Sequence, residues 1–339
     1  MQSNILVDWI TFSSKADDFV SITEFLGLQS LQFTERSGRY FYRRCRSFGN
    51  INIYSDGIND DMGVCVEMSG QGCRDFESYG KCDWMVVFAY ILNNDFVNIS
   101  RLDVAFDDFD GALNLDAIIQ DTFDGNFTSK FSHWNVQKGS RGATVEHGTR
   151  GGAMYIRIYD KKAERKRDDL EHWVRCELQM REQNALGFIT SLYRKESFFD
   201  LSGESVAFTE GDIPIGKLFF QVLNNYLRYV EPDDSDSNMR RWPTAAHWLR
   251  FLDTVERRSI FISPGTEYNV MNLSRYIFHQ AGNAINTYIE LMGQEKFLNE
   301  LKEVKKSKNP KYDNLRRQYM SDSSSDNKES KDNNGVLIL

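Results

Sequence analysis

Three short segments carry side chains that could act on a phosphodiester. In "YIRIY", the residues Tyr155, Arg157 and Tyr159 alternate with isoleucines. Side chains alternate between the two faces of a strand, so these three side chains share one face. The segments "RLDVAFD", 101–107, and "WVRCELQMR", 173–181, alternate in the same way. Each segment is therefore predicted to be a strand with one apolar face and one face of arginine, carboxylate or tyrosine.

The polar faces combine oxygen ligands for a metal ion with a nucleophile. Asp103 and Glu177 are the candidate metal ligands, because carboxylates brought together need a cation between them and suit Mg²⁺ or Mn²⁺. The ion would polarise a phosphate, arginines would stabilise the developing negative charge, and the phenolate of Tyr159 would attack. Asp107 is a further candidate ligand, about 13 Å from Asp103 on a regular strand. It could instead be an outer ligand, or cap the following helix with Asp108.

The identity of the nucleophile is open on the pattern alone. Tyr159 stands at the end of its strand, where a tyrosine most commonly anchors a turn, and Tyr155 is its rival in mid-strand. Arg157 between them could lower the pKa of a phenol or bind a phosphate. It could equally form an ion pair with Glu177 or Asp103 across the sheet.

Basic residues near these strands are candidate contacts to the DNA backbone. They are Lys161, Lys162 and Arg165 after Tyr159, Arg150 before it, and Arg175, Arg101 and Arg74. Side chains of this kind bind phosphates, although a run of charges is also typical of a solvated surface. Arg150 adjoins Gly151 and Gly152, which allow close backbone approach. Arg74 follows the glycines of "SGQGC", which we interpret as a tight turn.

Composition limits the class of protein. The chain has 339 residues, a net charge of −8 and five cysteines, an odd number with none in a C-x-x-C pair. A reducing cytoplasm is therefore expected. No secretory signal or run of 18 apolar residues is visible, so we expect no association with a membrane. The net charge argues against nucleic-acid binding through bulk charge, but basic residues crowd 36–46, 138–181 and 240–258, which favours a DNA groove.

The order of elements predicts an α+β fold. The chain to about residue 80 is rich in short strand-like runs, a helix follows at "CDWMVVFAYILNN", and four strand candidates stand in a row before 181. Short links between them favour an antiparallel sheet with helices on one face. We predict a catalytic core over 1–200, a mostly helical C-terminal region over 201–304, and a disordered polar tail over 305–339. No internal repeat is evident.

Several segments resemble, in order, the motifs of the Rep_trans family. This family contains rolling-circle replication initiators of staphylococcal plasmids, related phage initiators and the relaxases of Gram-positive integrative conjugative elements. The resemblance is carried by "VEMSGQGCRDFE", "RLDVAFDDFDG", "YIRIYDKKAE", "VRCELQMR" and "WPTAAHWLRFLDTVERRSI". It extends from about residue 5 to about residue 300, and the motif details lean towards the conjugative-element branch.

The resemblance implies a metal-dependent nicking enzyme built on a twisted antiparallel sheet. Tyr159 would cut one DNA strand at an origin, stay joined to the 5′-phosphate and leave a free 3′-OH. Asp103 and Glu177 match the acidic positions of the family's Arg-x-Asp and Arg-x-Glu motifs.

The partners that the resemblance implies are origin DNA, double-stranded and single-stranded, a host helicase and, in a transfer role, a coupling protein. A homodimer is also expected. Two alternatives stay open: a metal-dependent nuclease that uses water, and an origin-binding protein of the same fold without catalysis.

Overall fold

The computed structural model describes residues 4–140, 142–200, 203–211, 213–252 and 282–303. The strands are β1 (Asn4–Ser14), β2 (Thr34–Ser37), β3 (Tyr42–Phe48), β4 (Ile51–Gly57), β5 (Val64–Ser69), β6 (Val97–Asp108), β7 (Phe127–Ser129), β8 (Trp134–Gly139), β9 (Gly142–His147), β10 (Met154–Asp160), β11 (Val174–Arg181), β12 (Tyr193–Asp200), β13 (Gly203–Glu210) and β14 (Leu227–Tyr229). The helices are α1 (Phe19–Leu26), α2 (Gln71–Tyr79), α3 (Trp84–Leu92), α4 (Leu115–Asp124), α5 (Lys161–Arg165), α6 (Gln183–Thr190), α7 (Ile215–Tyr226), α8 (Ala246–Leu252), α9 (Gly282–Met292) and α10 (Gln294–Glu303).

One large sheet organises the N-terminal part of the chain. Its ten strands lie in the order β2-β3-β4-β5-β1-β6-β11-β10-β9-β8, and every neighbouring pair is antiparallel. Two small pairs, β12 with β13 and β14 with β7, lie outside it. The predicted α+β fold with a large antiparallel sheet is confirmed.

The two halves of the sheet have equivalent strand orders. β1 and β6 form the centre, and β5, β4, β3 and β2 on one side correspond to β11, β10, β9 and β8 on the other. A helix follows β5 and another follows β11, and their N-cap residues share one unusual backbone conformation, φ 48° and ψ −102° at Gly70 and φ 46° and ψ −114° at Glu182. The halves of the sheet therefore repeat one topology, although no repeat is evident in the sequence.

Helices cover one face of this sheet and form the core with it. Alternate strand residues such as Ile156 and Leu178 are fully buried, and so are Phe88 of α3, Phe188 of α6 and Phe219 of α7. These side chains belong to one continuous apolar cluster. The predicted division of each strand into an apolar and a polar face therefore holds, since the helices pack on the apolar side.

Capping residues set the ends of two helices in equivalent places. At the start of α1, the Asp18 side chain accepts a hydrogen bond from the backbone N–H of Ser21. At the start of α4, the Asn114 side chain accepts one from the backbone N–H of Ala117. Both helices end at a glycine in the left-handed conformation, which has no steric cost for glycine.

Some elements differ from the sequence expectations. The region to about residue 80, rich in strand-like runs, also contains helices α1 and α2. The chain turns at Gly70, which has φ 48°, and Arg74 follows on α2. The apolar spacing of "NALGFITSLYR" predicts a helix over its length, but α6 ends at Thr190 and the chain then enters β12. The helical spacing of "IGKLFFQVLNNYLRYV" predicts a helix to its end, but Leu227–Tyr229 form β14, because pairing with Phe127–Ser129 outweighs that spacing.

The chain divides into two compact units, Met1–Phe261 and Ile262–Leu339. In the second unit, the described helices α9 and α10 contact each other through Tyr288, whose hydroxyl donates a hydrogen bond to Glu300.

The hairpin of β12 and β13 spans the boundary predicted at 200, and that boundary stays a prediction. The tail predicted over 305–339 lies outside the described residues. Within the described ranges, no helix has the length and apolar character needed to cross a membrane.

Candidate active site

Strand register brings the predicted site residues together on the polar face of the sheet. On β10 and β11, Tyr159 lies opposite Arg175, and Arg157 lies opposite Glu177. On β11 and β6, Arg175 lies in turn opposite Asp107. Tyrosine, arginine and carboxylate therefore form one row across three strands.

The Tyr159 hydroxyl has two partners of opposite charge. It donates a hydrogen bond to Oε1 of Glu177 at 2.5 Å, and the Nζ of Lys161 donates to it at 3.0 Å. The guanidinium of Arg157 lies over the ring, 4.2 Å from its centroid. The tyrosine is only 3% exposed. A carboxylate that can receive the phenolic proton and a cation that can stabilise the phenolate are thus both in contact with this oxygen.

Burial raises the pKa of the Tyr159 phenol, and the negative charge of Glu177 raises it further. Arg175 and Arg157 act in the opposite direction. Burial also lowers the pKa of Lys161, with Arg175 adding to the effect. The tyrosine therefore holds its proton at neutral pH, and a phenolate would form there only if a base took that proton.

Glu177 is fixed by Arg157 from the neighbouring strand. The guanidinium donates to Oε2 through Nε at 3.1 Å and Nη2 at 2.7 Å. This leaves Oε1 directed at the tyrosine. The ion pair expected between Arg157 and Glu177 is present, and it orients the carboxylate.

Arg175 joins two acidic residues from two further strands. Its Nε and Nη2 each donate to Asp107 at 2.7 Å, and its Nη1 lies 2.9 Å from Oδ1 of Asp8. The indole N–H of Trp173 donates to Asp107 as well, at 2.7 Å. Asp8 is a site residue that the sequence reasoning missed, although an aspartate inside the apolar run "ILVDWITF" was a signal for it.

Asp103 lies apart from the tyrosine. It accepts two hydrogen bonds from Arg101, at 2.9 and 2.6 Å, and Arg101 in turn lies over the ring of Trp9. Burial raises the pKa of Asp103 to about 6, against the opposing effect of Arg101. In the β6–β11 register Asp103 faces Gln179, and Glu177 faces Ala105, so the two carboxylates are not a direct cross-strand pair.

The arrangement gives a test of the predicted metal site. Asp103, Asp107 and Glu177 are each held by an arginine. Among the residues that the structure describes, no group of three or more histidine, cysteine, aspartate or glutamate side chains surrounds one point. As arranged, these carboxylates do not fit a divalent ion without displacement of an arginine. Mg²⁺ or Mn²⁺ and its ligands stay a prediction.

Asp108 has a structural role at the end of β6. Its carboxylate accepts hydrogen bonds from the backbone N–H groups of Leu113 and Asp110, at 2.7 and 3.1 Å, and lies 2.9 Å from Nε2 of His172. The helix that follows is capped by Asn114. Asp108 therefore shapes the loop that leads into the helix.

A cleft of about 610 Å³ is lined by Lys161 and Arg175, two neighbours of Tyr159. The cations that line it are Arg74, Lys161, Arg165, Arg167 and Arg175, and we call it the basic cleft. Asp8 and Asp107 also line it, with the aromatic pair Phe109 and Trp173, whose ring centroids lie 5.3 Å apart. Four of the predicted DNA contacts therefore line the basic cleft: Arg74, Lys161, Arg165 and Arg175. The aromatic pair was not predicted from the sequence.

The other predicted DNA contacts lie elsewhere. Arg101 is bonded to Asp103, and Lys162 donates to the carbonyl of Glu171 at 3.4 Å. Arg150 pairs with Glu146 at 2.7 Å. None of these three residues lines the basic cleft.

Tyr155 belongs to a second tyrosine–glutamate pair. Its hydroxyl donates to Glu146 of β9, and Arg150 donates to it at 3.3 Å. Burial raises the pKa of Tyr155 to about 12, and Glu146 adds to the rise. The rival tyrosine therefore has its own carboxylate. Neither tyrosine lines the basic cleft, but Lys161, which contacts the Tyr159 hydroxyl, does.

Comparison with known proteins gives matches on both halves of the sheet. The profile of Rep_trans, "Replication initiation factor", matches residues 97–303. The profile of Rol_Rep_N, "Rolling Circle replication initiation protein N-terminal domain", matches residues 4–89. The chain is 27% identical over 283 residues to "Putative DNA relaxase NicK" of Bacillus subtilis (strain 168), with 78% of this chain and 74% of that protein covered.

A solved structure has the same fold. The rolling circle replication initiator protein from Geobacillus stearothermophilus matches with a TM-score of 0.64 and 28% sequence identity. The match covers 76% of this chain and 99% of that one. Together with the Rep_trans profile, which matches more than half of the chain, this confirms the resemblance seen in the motifs: the chain belongs to the Rep_trans family of replication initiation factors.

Proposed function

We propose that the protein nicks one strand of DNA at an origin, as a relaxase or rolling-circle replication initiator, with Tyr159 as the nucleophile. The observation that carries this proposal is the Tyr159 hydroxyl itself. It is in hydrogen-bond contact with Glu177 and with Lys161, and Lys161 also lines the basic cleft. The similarity to a putative DNA relaxase and to a rolling circle replication initiator supports DNA as the substrate.

In the proposed reaction, the phenolic oxygen of Tyr159 attacks the phosphorus of a phosphodiester while Glu177 takes the phenolic proton. The bond from phosphorus to the 3′ oxygen breaks, and that oxygen leaves as a 3′-OH with a proton from solvent. Glu177 releases the phenolic proton to solvent, so no net proton is consumed. The 5′-phosphate stays on the tyrosine. One phosphoester replaces another, so the reverse attack by a 3′-OH rejoins the strand.

The cations have separate tasks in this reaction. Lys161 contacts the tyrosine oxygen and also lines the basic cleft, so a phosphate bound there meets the nucleophile beside a positive charge. Arg175 lines the same cleft and stabilises charge that develops on the phosphoryl oxygens. Arg157 holds Glu177 in position.

The experiment uses a supercoiled plasmid with the native origin, with Mn²⁺, Mg²⁺ or EDTA, and products resolved on a denaturing gel. Wild type, Tyr159→Phe and Tyr155→Phe are compared. We expect a protein-linked strand that only Tyr159→Phe abolishes. Loss with Tyr155→Phe instead would move the role to the second tyrosine. Nicking without an adduct would favour the water-using nuclease, and binding without nicking would favour the origin-binding protein.

The remaining parts of the proposal concern context. The EDTA and metal arms test the dependence on Mg²⁺ or Mn²⁺. A host helicase is expected because a nick leaves a strand end to unwind, a coupling protein is expected only if the nick begins conjugative transfer, and the protein is expected to form a homodimer. Pull-down with the nicked origin as bait and sedimentation of the free protein test these partners.

A further inference from the structure

A turn at the edge of the sheet carries two aromatic residues in a conformation that favours glycine. The backbone N–H of Tyr42 donates to the carbonyl of Arg39 at 2.9 Å, which closes the two-residue turn between β2 and β3. The central residues Tyr40 and Phe41 have φ of 57° and 67°. Positive φ at both positions is the pattern of a type I′ turn, which usually takes Asn-Gly. We call residues 34–48 the edge hairpin.

The strained backbone at Phe41 is not offset by burial of its ring. Phe41 is 75% exposed and Tyr40 is 54% exposed. Left-handed backbone at such residues is costly, and a persisting outlier of this kind points to a function. Glycine or asparagine would close the same turn without an exposed phenylalanine. The Phe41 ring is therefore accessible to a binding partner.

The turn is held firmly over the polar face of the sheet. The Tyr40 hydroxyl donates to the buried Glu67 at 2.9 Å, and its ring meets Tyr54 edge to face at 5.3 Å. The Tyr42 hydroxyl donates to the carbonyl of Met62 at 3.1 Å. Phe41 is thus presented on a fixed support, so little conformational entropy would be lost when it binds.

The charge of the edge hairpin fits a polyanion. Its fifteen residues hold five arginines and one glutamate in a chain whose net charge is −8. Arg36 and Arg39 are exposed. Arg36 faces Cys45, which faces Tyr54, so this arginine shares the polar face with the active site. Charges on an edge strand also prevent strand-to-strand aggregation, but that role does not account for Phe41.

We propose that the edge hairpin binds unpaired DNA that flanks the nick, with Phe41 stacking on a base and Arg36 and Arg39 contacting phosphates. An exposed aromatic ring among arginines is the usual equipment for single strands, because each base has a face to stack on. The turn is anchored on β5, which lies four strand spacings from β10 in the sheet. This corresponds to a distance of about 19 Å between the two strands. The hairpin therefore contacts nucleotides away from the scissile phosphate. This inference rests on the proposed function for its choice of partner.

The test measures binding without cleavage. Fluorescence anisotropy of a labelled oligothymidylate, and of a duplex of the same length, is recorded in the Tyr159→Phe background. We expect Phe41→Ala and Phe41→Gly to weaken single-strand binding about tenfold and Phe41→Trp to retain it. Arg39→Ala should reduce the salt slope by about 0.7. Phe123→Ala, at an exposed aromatic of α4 (61% exposed), is the matched control and should bind normally.

Stability separates a functional from a structural role. Because glycine relieves the positive φ, Phe41→Gly should keep or raise the Tm while it weakens binding. Unchanged single-strand affinity in the Phe41 variants would overturn the proposal, and so would a lowered Tm with unchanged affinity. An altered sedimentation coefficient with unchanged affinity would instead assign the turn to contact between copies.

The outcomes also distinguish this proposal from the proposed function. Weakened binding in the Phe41 variants, in a protein that forms no DNA adduct, would support the edge hairpin and overturn the nicking reaction. Normal binding in these variants, with an adduct formed by wild type, would overturn the hairpin alone.

Discussion

Replacement of Glu177 by glutamine tests the proposed base most directly. The glutamine side chain has the same shape and can still accept a hydrogen bond from Tyr159, but it cannot take the proton. Positioned general bases contribute about 10²- to 10⁴-fold to the rate, or about 3 to 5.5 kcal/mol in the barrier. We expect Glu177→Gln to lose nicking by a factor in this range and to bind origin DNA normally.

The difference in nicking rate between wild type and Glu177→Gln should depend on pH. Burial and Glu177 keep the pKa of the Tyr159 phenol above its ordinary value, so wild type at neutral pH needs the carboxylate to remove the proton. Glutamine removes one of the charges that raise this pKa. As the pH rises towards the phenol pKa, the variant forms phenolate without a base. The ratio of wild-type to variant rate should therefore be largest near neutrality and shrink at high pH.

The assay is single-turnover adduct formation on a labelled origin oligonucleotide across pH, with anisotropy for binding. Thermal unfolding is needed as a control, because Arg157 loses its charged partner at a half-buried position. Glu177→Asp keeps the base but moves it away from the tyrosine, so it should nick at an intermediate rate. A glutamine variant that nicks at the wild-type rate, or a rate ratio that does not change with pH, would refute the role of Glu177.

Three further predictions concern neighbouring groups. Tyr159→Phe should abolish the covalent adduct, whereas Tyr155→Phe should leave it, as scored on a denaturing gel; the opposite result would exchange their roles. Arg175→Lys keeps a charge but cannot hold Asp107 in a two-point contact, so adduct formation should fall about 100-fold or more with little change in anisotropy, and a normal rate would contradict the geometry. Because burial raises the pKa of Asp103 to about 6, its contribution to stability is greatest below about pH 4 and is lost as the pH rises through 6, by about 3 kcal/mol at most. Urea unfolding should show this loss in wild type and not in Asp103→Asn, and parallel pH profiles would disprove it.

Alternation along strands made much of the candidate site predictable. Arg157, Tyr159 and Glu177 share a face because the side-chain period of a strand is two, and their strands proved to be neighbours. The spacing of Asp103 and Asp107 was also informative. They face Gln179 and Arg175, four residues apart on a regular partner strand, so they do not meet.

Other parts of the site depend on tertiary arrangement. Asp8 reaches Arg175 from β1, where the register with β6 shifts between Val7 and Trp9, and one sequence gives no sign of such a bulge. The pairing of each carboxylate with an arginine, rather than with its fellow carboxylates, likewise follows from strand order. The contact of Phe109 with Trp173 requires two distant loops to meet.

The mirrored strand order has a consequence for the history of the chain. When Gly70 is matched to Glu182, Cys65 takes the place of Glu177 and Asp56 takes the place of Tyr159. Fusion of two copies of an ancestral five-stranded unit would produce this arrangement, with the seam between β1 and β6 as the former interface of a dimer. After such a fusion, one copy can keep the chemistry while the other is released from it. The edge hairpin lies in the half of the sheet without the candidate site, so its residues could change without loss of Tyr159 or Glu177.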